Sequence, residues 1–299
     1  MLGALLYFER CRRLGEVRQF KLWNSDGKNY DLLDPKGIML FSVAGLGRTE
    51  EAEYYRLDEH FRILNSKNSQ REISGTLLMP GNTVDDMYKK YYDFMRFAAR
   101  TPLAIEYTTF DTFYIDVHLV TIEKTEVSPT YNALECPVTF RALGPFYRKI
   151  QVYATSSKEL VSTPYDYTYE DTYSTTDAIL NLSIKSDSTY ASPCRLYISG
   201  PVVDPVWQQY LNSSLIATGS MNGTIPEGHK LVIDTVALPN RIYEVDSNGA
   251  VVADRYSLCD YTTDRFLYIY EGTNMISVAH KGDKIPYLTA EVRLEYDSV

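Results

Sequence analysis

The chain has 299 residues, of which 44% are hydrophobic and 23% charged, with a formal charge of −9 and a pI of about 5.1. This is the composition of a folded protein long enough to bury substantial cores, and two domains are expected at this length. The acidity argues against binding nucleic acid by charge attraction, and no stretch approaches the roughly 18 apolar residues that a membrane span needs.

Residues 1–17 form an appended arm. Its apolar start, Met1-Leu-Gly-Ala-Leu-Leu-Tyr-Phe8, precedes the charged Glu9-Arg-Cys-Arg-Arg13. A secretory signal has the opposite order, so synthesis in a cytoplasm is expected, with any exit by another route. Arg18 to Leu33 reads as a hairpin, with Phe20 and Leu22 alternating with polar neighbours and Asn24-Ser-Asp-Gly27 supplying the turn. Gly45-Leu-Gly47 punctuates the chain, but Glu50 stands where a dinucleotide loop would place its third glycine. Glu50, Glu51 and Glu53 read as a solvated face.

The strand Ile73-Ser-Gly-Thr-Leu-Leu-Met79 leads into the one strong helical signal, Thr83 to Arg96. Val84, Met87, Tyr88, Tyr91, Met95 and Ala98 recur at three- and four-residue steps and predict its buried face. Thr83 and Asp86 sit at capping-box spacing, Asp85 and Asp86 suit the positive end of the dipole, and Arg96 and Arg100 the negative end. Thr101-Pro102 stops the helix, and Pro102-Leu-Ala-Ile-Glu-Tyr107 follows as a strand. Phe113 to Glu123 alternates until the phase slips at Val120, which predicts a bulge. Leu134, Cys136, Val138 and Phe140 define one face of the next strand, and Pro137 marks it as an edge strand. Gly144-Pro-Phe-Tyr147 closes this region.

Residues 151–178 are rich in Ser, Thr and Tyr, and the two-residue spacing of Tyr165, Tyr167 and Tyr169, with Tyr173 beyond, favours a strand packed on a sheet over aromatics lining an exposed groove. The remainder carries strand signals without helix: Leu180, Leu182 and Ile184; Leu196 and Ile198; hairpin dipeptides at Asn222-Gly223 and Asn248-Gly249; a central strand at Phe266 to Tyr270; and a half-exposed strand at Ala290 to Tyr296. A β-sandwich or barrel is expected.

Chemistry-bearing clusters are missing. His60, His118, His229 and His280 are scattered, and Cys11, Cys136, Cys194 and Cys259 are too far apart for a zinc pattern, so free thiols and no metal are expected. There is no Gly-x-Ser-x-Gly elbow and no phosphate loop. Trp207 and Tyr210, after Gly200-Pro-Val-Val-Asp-Pro-Val206, are candidates for a sugar-stacking platform, with a core or loop anchor as the alternative.

Taken together, these segments resemble a known family. Phe20-Lys-Leu-Trp-Asn24 with Asp26-Gly27, Gly45-Leu-Gly47, Ile73-Ser-Gly-Thr76, the Tyr-rich helix, Pro102 to Tyr107, Ile122-Glu-Lys-Thr-Glu126, Leu134-Glu-Cys-Pro137 and Leu143-Gly-Pro-Phe-Tyr147 carry it in the first half. Ile198-Ser-Gly-Pro-Val-Val-Asp-Pro-Val-Trp207, Leu231-Val-Ile-Asp234, Arg265-Phe266 and Glu271-Gly-Thr-Asn274 carry it in the second. In order and spacing they resemble the distal tail proteins (Dit) of siphophages. The chain departs from that pattern in its 17-residue leader and in Gly144-Pro-Phe146, where a Trp-containing motif is common.

The resemblance implies a mainly β protein: the arm at 1–17, a ring-forming β-sandwich with one helix at 18–150, similar to tail-tube proteins, and a galectin-like β-sandwich at 151–299. It further implies a structural virion protein of the tail tip, made in the bacterial host cytoplasm, without catalysis or cofactor. A homohexameric ring would join the tail tube protein to a tail-associated tip protein and receptor-binding proteins, with neither specific nucleic-acid binding nor a membrane span. Such a ring would carry about −54. Residues 1–17, the loop Leu46 to Tyr55 and the loop Thr108 to Thr112 are the expected contact regions. Two rival readings are a carbohydrate-binding sandwich using Trp207 or the Tyr165–Tyr173 stretch, and a glycan hydrolase built on a carboxylate pair.

Overall fold

A computed structural model describes residues 18–48, 50–128, 133–154, 180–282 and 286–299. The arm at 1–17, Cys11 and the Tyr165–Tyr173 stretch lie outside the described residues. The chain divides into two compact units, residues 1–148 with 296–299, and residues 149–295.

In the first unit the strands are β1 (Gln19–Trp23), β2 (Asn29–Asp31), β3 (Met39–Ala44), β4 (Glu50–Leu57), β5 (His60–Asn68) and β6 (Glu72–Pro80). Helix α1 (Val84–Ala98) follows, then β7 (Leu103–Thr108), β8 (Thr112–Ile122), β9 (Val127–Ser128), β10 (Ala133–Ala142) and the start of β11 (Phe146–Tyr153). All pairings are antiparallel, in the order β3-β6-β10-β8-β7-β1-β2. Long β8 joins the two halves of this path: its first part pairs with β7 and its second with β10. The register breaks opposite Thr139 and Phe140, leaving Val120 as the extra residue, so the bulge lies where the sequence phase slips.

The edge assignment of Pro137 is overturned: β10 is paired on both sides, by β6 along its length and by β9 and β8 at its two ends. The proline is tolerated because β8 pairing begins only at Val138, while β9 reaches only Ala133 and Leu134. Its carbonyl accepts from Glu123 N at 2.9 Å, so its missing N–H faces the gap between those two partners, where no ladder bond is lost.

Helix α1 packs against β6 and β10. Thr83 caps it, its hydroxyl accepting from Asp86 N at 3.2 Å, while the Asp86 carboxylate accepts from Asn82 N instead of closing a capping box. The buried face is Met87, Phe94, Phe97 and Ala98, with both phenylalanine rings against Tyr30. It is thus rotated from the predicted stripe: Val84 is half exposed, and Tyr88, Tyr91 and Tyr92 instead surround the Lys124 ammonium at 4.5–5.7 Å from their ring centres.

The second unit contains β12 (Leu180–Ser186), β13 (Ser192–Ser199), β14 (Val202–Val203), β15 (Val206–Leu211), β16 (Ser214–Ser220) and β17 (Thr224–Ile225). It continues with β18 (Lys230–Asp234), β19 (Arg241–Val245), β20 (Val251–Asp254), β21 (Tyr268–Ile269), β22 (Gly272–Ala279) and β23 (Leu288–Tyr296, whose last residue belongs to the first unit). One sheet runs β23-β13-β18-β19-β20, with β21 on β13; a second runs β12-β22-β15-β16. Strict alternation along β13, β22 and β23 buries Cys194, Leu196, Ile198, Ile276, Val278, Leu288, Ala290 and Val292. A buried amide pair ties the second sheet to β21. Gln209 Nε2 donates to Asn274 Oδ1 (3.1 Å) and to Tyr268 O (2.6 Å), and Asn274 Nδ2 donates to Tyr270 O.

Two sequence expectations fail here. Phe266 to Tyr270 contributes only the two residues of β21, although Leu267 and Ile269 are buried. Asn222-Gly223 makes no hairpin, because β17 leaves β16 and pairs with β14. Asn248-Gly249 does turn β19 into β20, with Gly249 at φ 83° and Asp246 Oδ1 accepting from Asn248 and Ala250. Cys136, Cys194 and Cys259 are buried free thiols, and burial pushes the Cys194 thiol up to about 12.

Candidate assembly surface

Among the described residues, the β4–β5 hairpin of the first unit stands as a separate two-stranded ribbon. Its strands pair only with each other, from Glu50 opposite Asn68 to Leu57 opposite His60. At its root, Gly45 adopts φ 91°, and a Cβ there would lie 1.9 Å from the Glu72 carbonyl oxygen, so only glycine lets the chain pass. Arg48 anchors the same end with 2.9 Å ion pairs to Glu50 and Asp297. At the tip, Asp58 takes φ 55° and its carbonyl accepts from Arg56 Nε at 2.8 Å.

Strand alternation gives the ribbon two different faces. One carries Ala52 with Ser66, Tyr54 with Ile63, and Arg56 with Phe61. The register break at Glu53/Tyr54 leaves Leu64 unpaired between Ile63 and Asn65. The other carries Glu51 with Lys67, an ion pair at 3.4 Å, then Glu53 with Asn65, Tyr55 with Arg62 and Leu57 with His60. Tyr54 is 62% exposed, Phe61 67%, Ile63 61% and Leu64 67%. An isolated two-stranded ribbon is marginal in water, and so much exposed apolar side chain marks a surface that takes a partner.

Of the contact regions named from sequence, Leu46 to Tyr55 runs into this ribbon and is half strand. The sequence reading missed the ribbon because its turn is Asp58-Glu59, not an Asn-Gly or Asp-Gly pair, and because consecutive Tyr54-Tyr55 blurs the alternation. Loop Thr108 to Thr112 is the β7–β8 turn, closed by a 3.1 Å contact between its two threonine hydroxyls, with Phe110 85% exposed at its tip.

Trp207 is fully buried beneath the β12-β22-β15-β16 sheet, its indole N–H donating to Arg265 O at 2.8 Å. Its ring lies so close to Gly219 that a Cβ there would sit 2.4 Å away. No ring face is left for a sugar, so Trp207 is the core anchor that sequence weighed against the platform. Tyr210, three residues on, is half-buried on the opposite face, its hydroxyl donating to Gln208 Oε1 at 2.9 Å. Among the described residues no group of three or more His, Cys, Asp or Glu could hold a metal ion.

The buried carboxylates Glu244 and Asp234 of the second unit are matched. Burial alone would raise the Glu244 carboxyl, but hydrogen bonds from Arg255 and His229 outweigh it and hold the group below the usual carboxylate range. On the neighbouring sheet surface, burial and then the Glu291 carboxylate push the Tyr197 hydroxyl up to about 12, while Arg195 pairs with Asp234 at 2.9 Å. These networks tie neighbouring strands of the second unit together.

The mainly β fold of this chain is similar to that of solved phage baseplate components. It is similar to a chain of the phage P2 baseplate in its activated conformation with Ca, at 16% identity and a TM-score of 0.64, covering 95% of this chain and 100% of that one. It is also similar to the SPP1 Dit protein, at 11% identity and a TM-score of 0.61, covering 91% and 98%. No curated protein sequence matches the chain. At these identities the structural likeness establishes the fold. Residues 19–143 match the family model of the distal tail protein N-terminal domain.

Proposed function

We propose that the chain is a distal tail protein and the structural hub of the tail tip, that six copies close into a ring, and that the ring joins the tail tube to the tail-associated tip protein and receptor-binding proteins. Its role is assembly without catalysis. The observation that carries this reading is the β4–β5 ribbon, whose Tyr54, Phe61, Ile63 and Leu64 side chains are exposed and have no second layer over them among the described residues. The partner best suited is a second copy, because one ribbon per protomer laid on its neighbour repeats head to tail and closes when the rotation permits. Phe110, exposed at the β7–β8 turn, offers a second, smaller contact.

Negative-stain imaging of the full chain, alone and mixed with its tail tube protein, tests the proposal. Six-fold rings with a central hole are expected. A chain that remains monomeric under both conditions would remove the hub reading.

A further inference from the structure

The outward face of the β12-β22-β15-β16 sheet differs from every other surface described above, because it is almost free of charge. Registers place its side chains in rows across the strands. One row is Asn181, Ser277, Gln208 and Thr218: amides and hydroxyls on all four strands. The next, two residues along or roughly 7 Å away, is Ser183, Met275, Tyr210 and Leu215. Ala279, Val206 and Ser220 form a third row on the far side of the amide row. Among the described residues Lys185, at one corner, is the only charged side chain on this face, in a chain with 30 basic and 39 acidic residues.

We propose that this face binds a neutral glycan laid across the strands. A pyranose presents a C–H face and a rim of hydroxyls, and both needs are met by adjacent rows. Tyr210 and Met275 supply a flat apolar strip, with the Tyr210 ring held in place by its bond to Gln208 Oε1. Gln208 thereby keeps its NH₂ donors free, and among the described residues the side chains of Asn181 and Ser277 make no hydrogen bond. Four strands span roughly 14 Å, room for more than one sugar ring. A charged polymer would find no counter-charges here except Lys185. A protein partner is the competing occupant, and the experiment separates the two.

The test uses the full chain in affinity electrophoresis through gels containing dextran, a soluble β-glucan or a galactan, with polyglutamate as the anionic control. Retardation by at least one neutral polysaccharide and none by polyglutamate is expected. Tyr210→Ala and Gln208→Ala should each weaken retardation at least tenfold while the circular dichroism spectrum and the oligomer mass stay those of the parent. Tyr197→Ala, on the other sheet, should change nothing. No retardation in any neutral gel, or retardation undiminished in both variants, would overturn the proposal. The test is independent of ring formation, since none of these residues lies in the first unit.

Discussion

The β4–β5 ribbon and the four-stranded sheet of the second unit use similar residues for opposite ends. In the sheet, Trp207 and its neighbours Leu182, Ile276 and Val278 face a second layer, so the aromatic ring is sealed and its one N–H is matched. In the ribbon no second layer exists among the described residues, and Phe61, Ile63 and Leu64 are exposed. An aromatic side chain therefore stabilises the fold or recruits a partner according to whether its own chain supplies the layer behind it, and the residue type alone does not say which.

Substitutions should break this comparison in a graded way. Trp207→Ala removes the largest buried side chain and should destabilise the second unit by about 3–5 kcal/mol, read as a lowered transition by calorimetry. Phe61→Ser at the ribbon, by contrast, should stay within about 0.5 kcal/mol of the parent while assembly is lost. Gly219→Ala pushes a methyl into the Trp207 ring and should cost about 1–3 kcal/mol; a stability equal to the parent would mean that the ring is not seated on that glycine. The smallest effect concerns acid. Because the folded Glu244 carboxyl is held below its ordinary value, its contribution is complete above the unfolded pKa and is lost as pH falls through the folded one. Thermal midpoints of the second unit should therefore fall below about pH 4, and Glu244→Gln should flatten that decline. A parallel decline in both proteins would assign the acid sensitivity elsewhere.

Much of the fold is legible in the sequence where a single period governs burial. Alternation places the strands around Phe20, Phe113, Leu196 and Ala290, the slip at Val120 marks a real bulge, and Thr83 caps the helix. What escapes is decided by distant segments. The helix buries Phe94 and Phe97 and leaves Val84 outside because Tyr30 supplies a partner surface on that side. Pro137 sits in a doubly paired strand because two short partners leave a gap opposite it. The ribbon stays hidden because its turn relies on Asp58 in a left-handed conformation in place of glycine, and because its apolar face is set by pairing across the two strands. Tyr210 was named from sequence together with Trp207, yet only the strand register shows that they lie on opposite faces of one sheet.

The most direct test of the central claim is the solution mass of the full chain beside that of the Phe61→Ser/Ile63→Ser/Leu64→Ser variant, by light scattering at matched concentration. The account predicts a parent near six times 34.2 kDa and a folded variant near 34.2 kDa. A variant that assembles as well as the parent would contradict the assignment of the ribbon as the contact between copies.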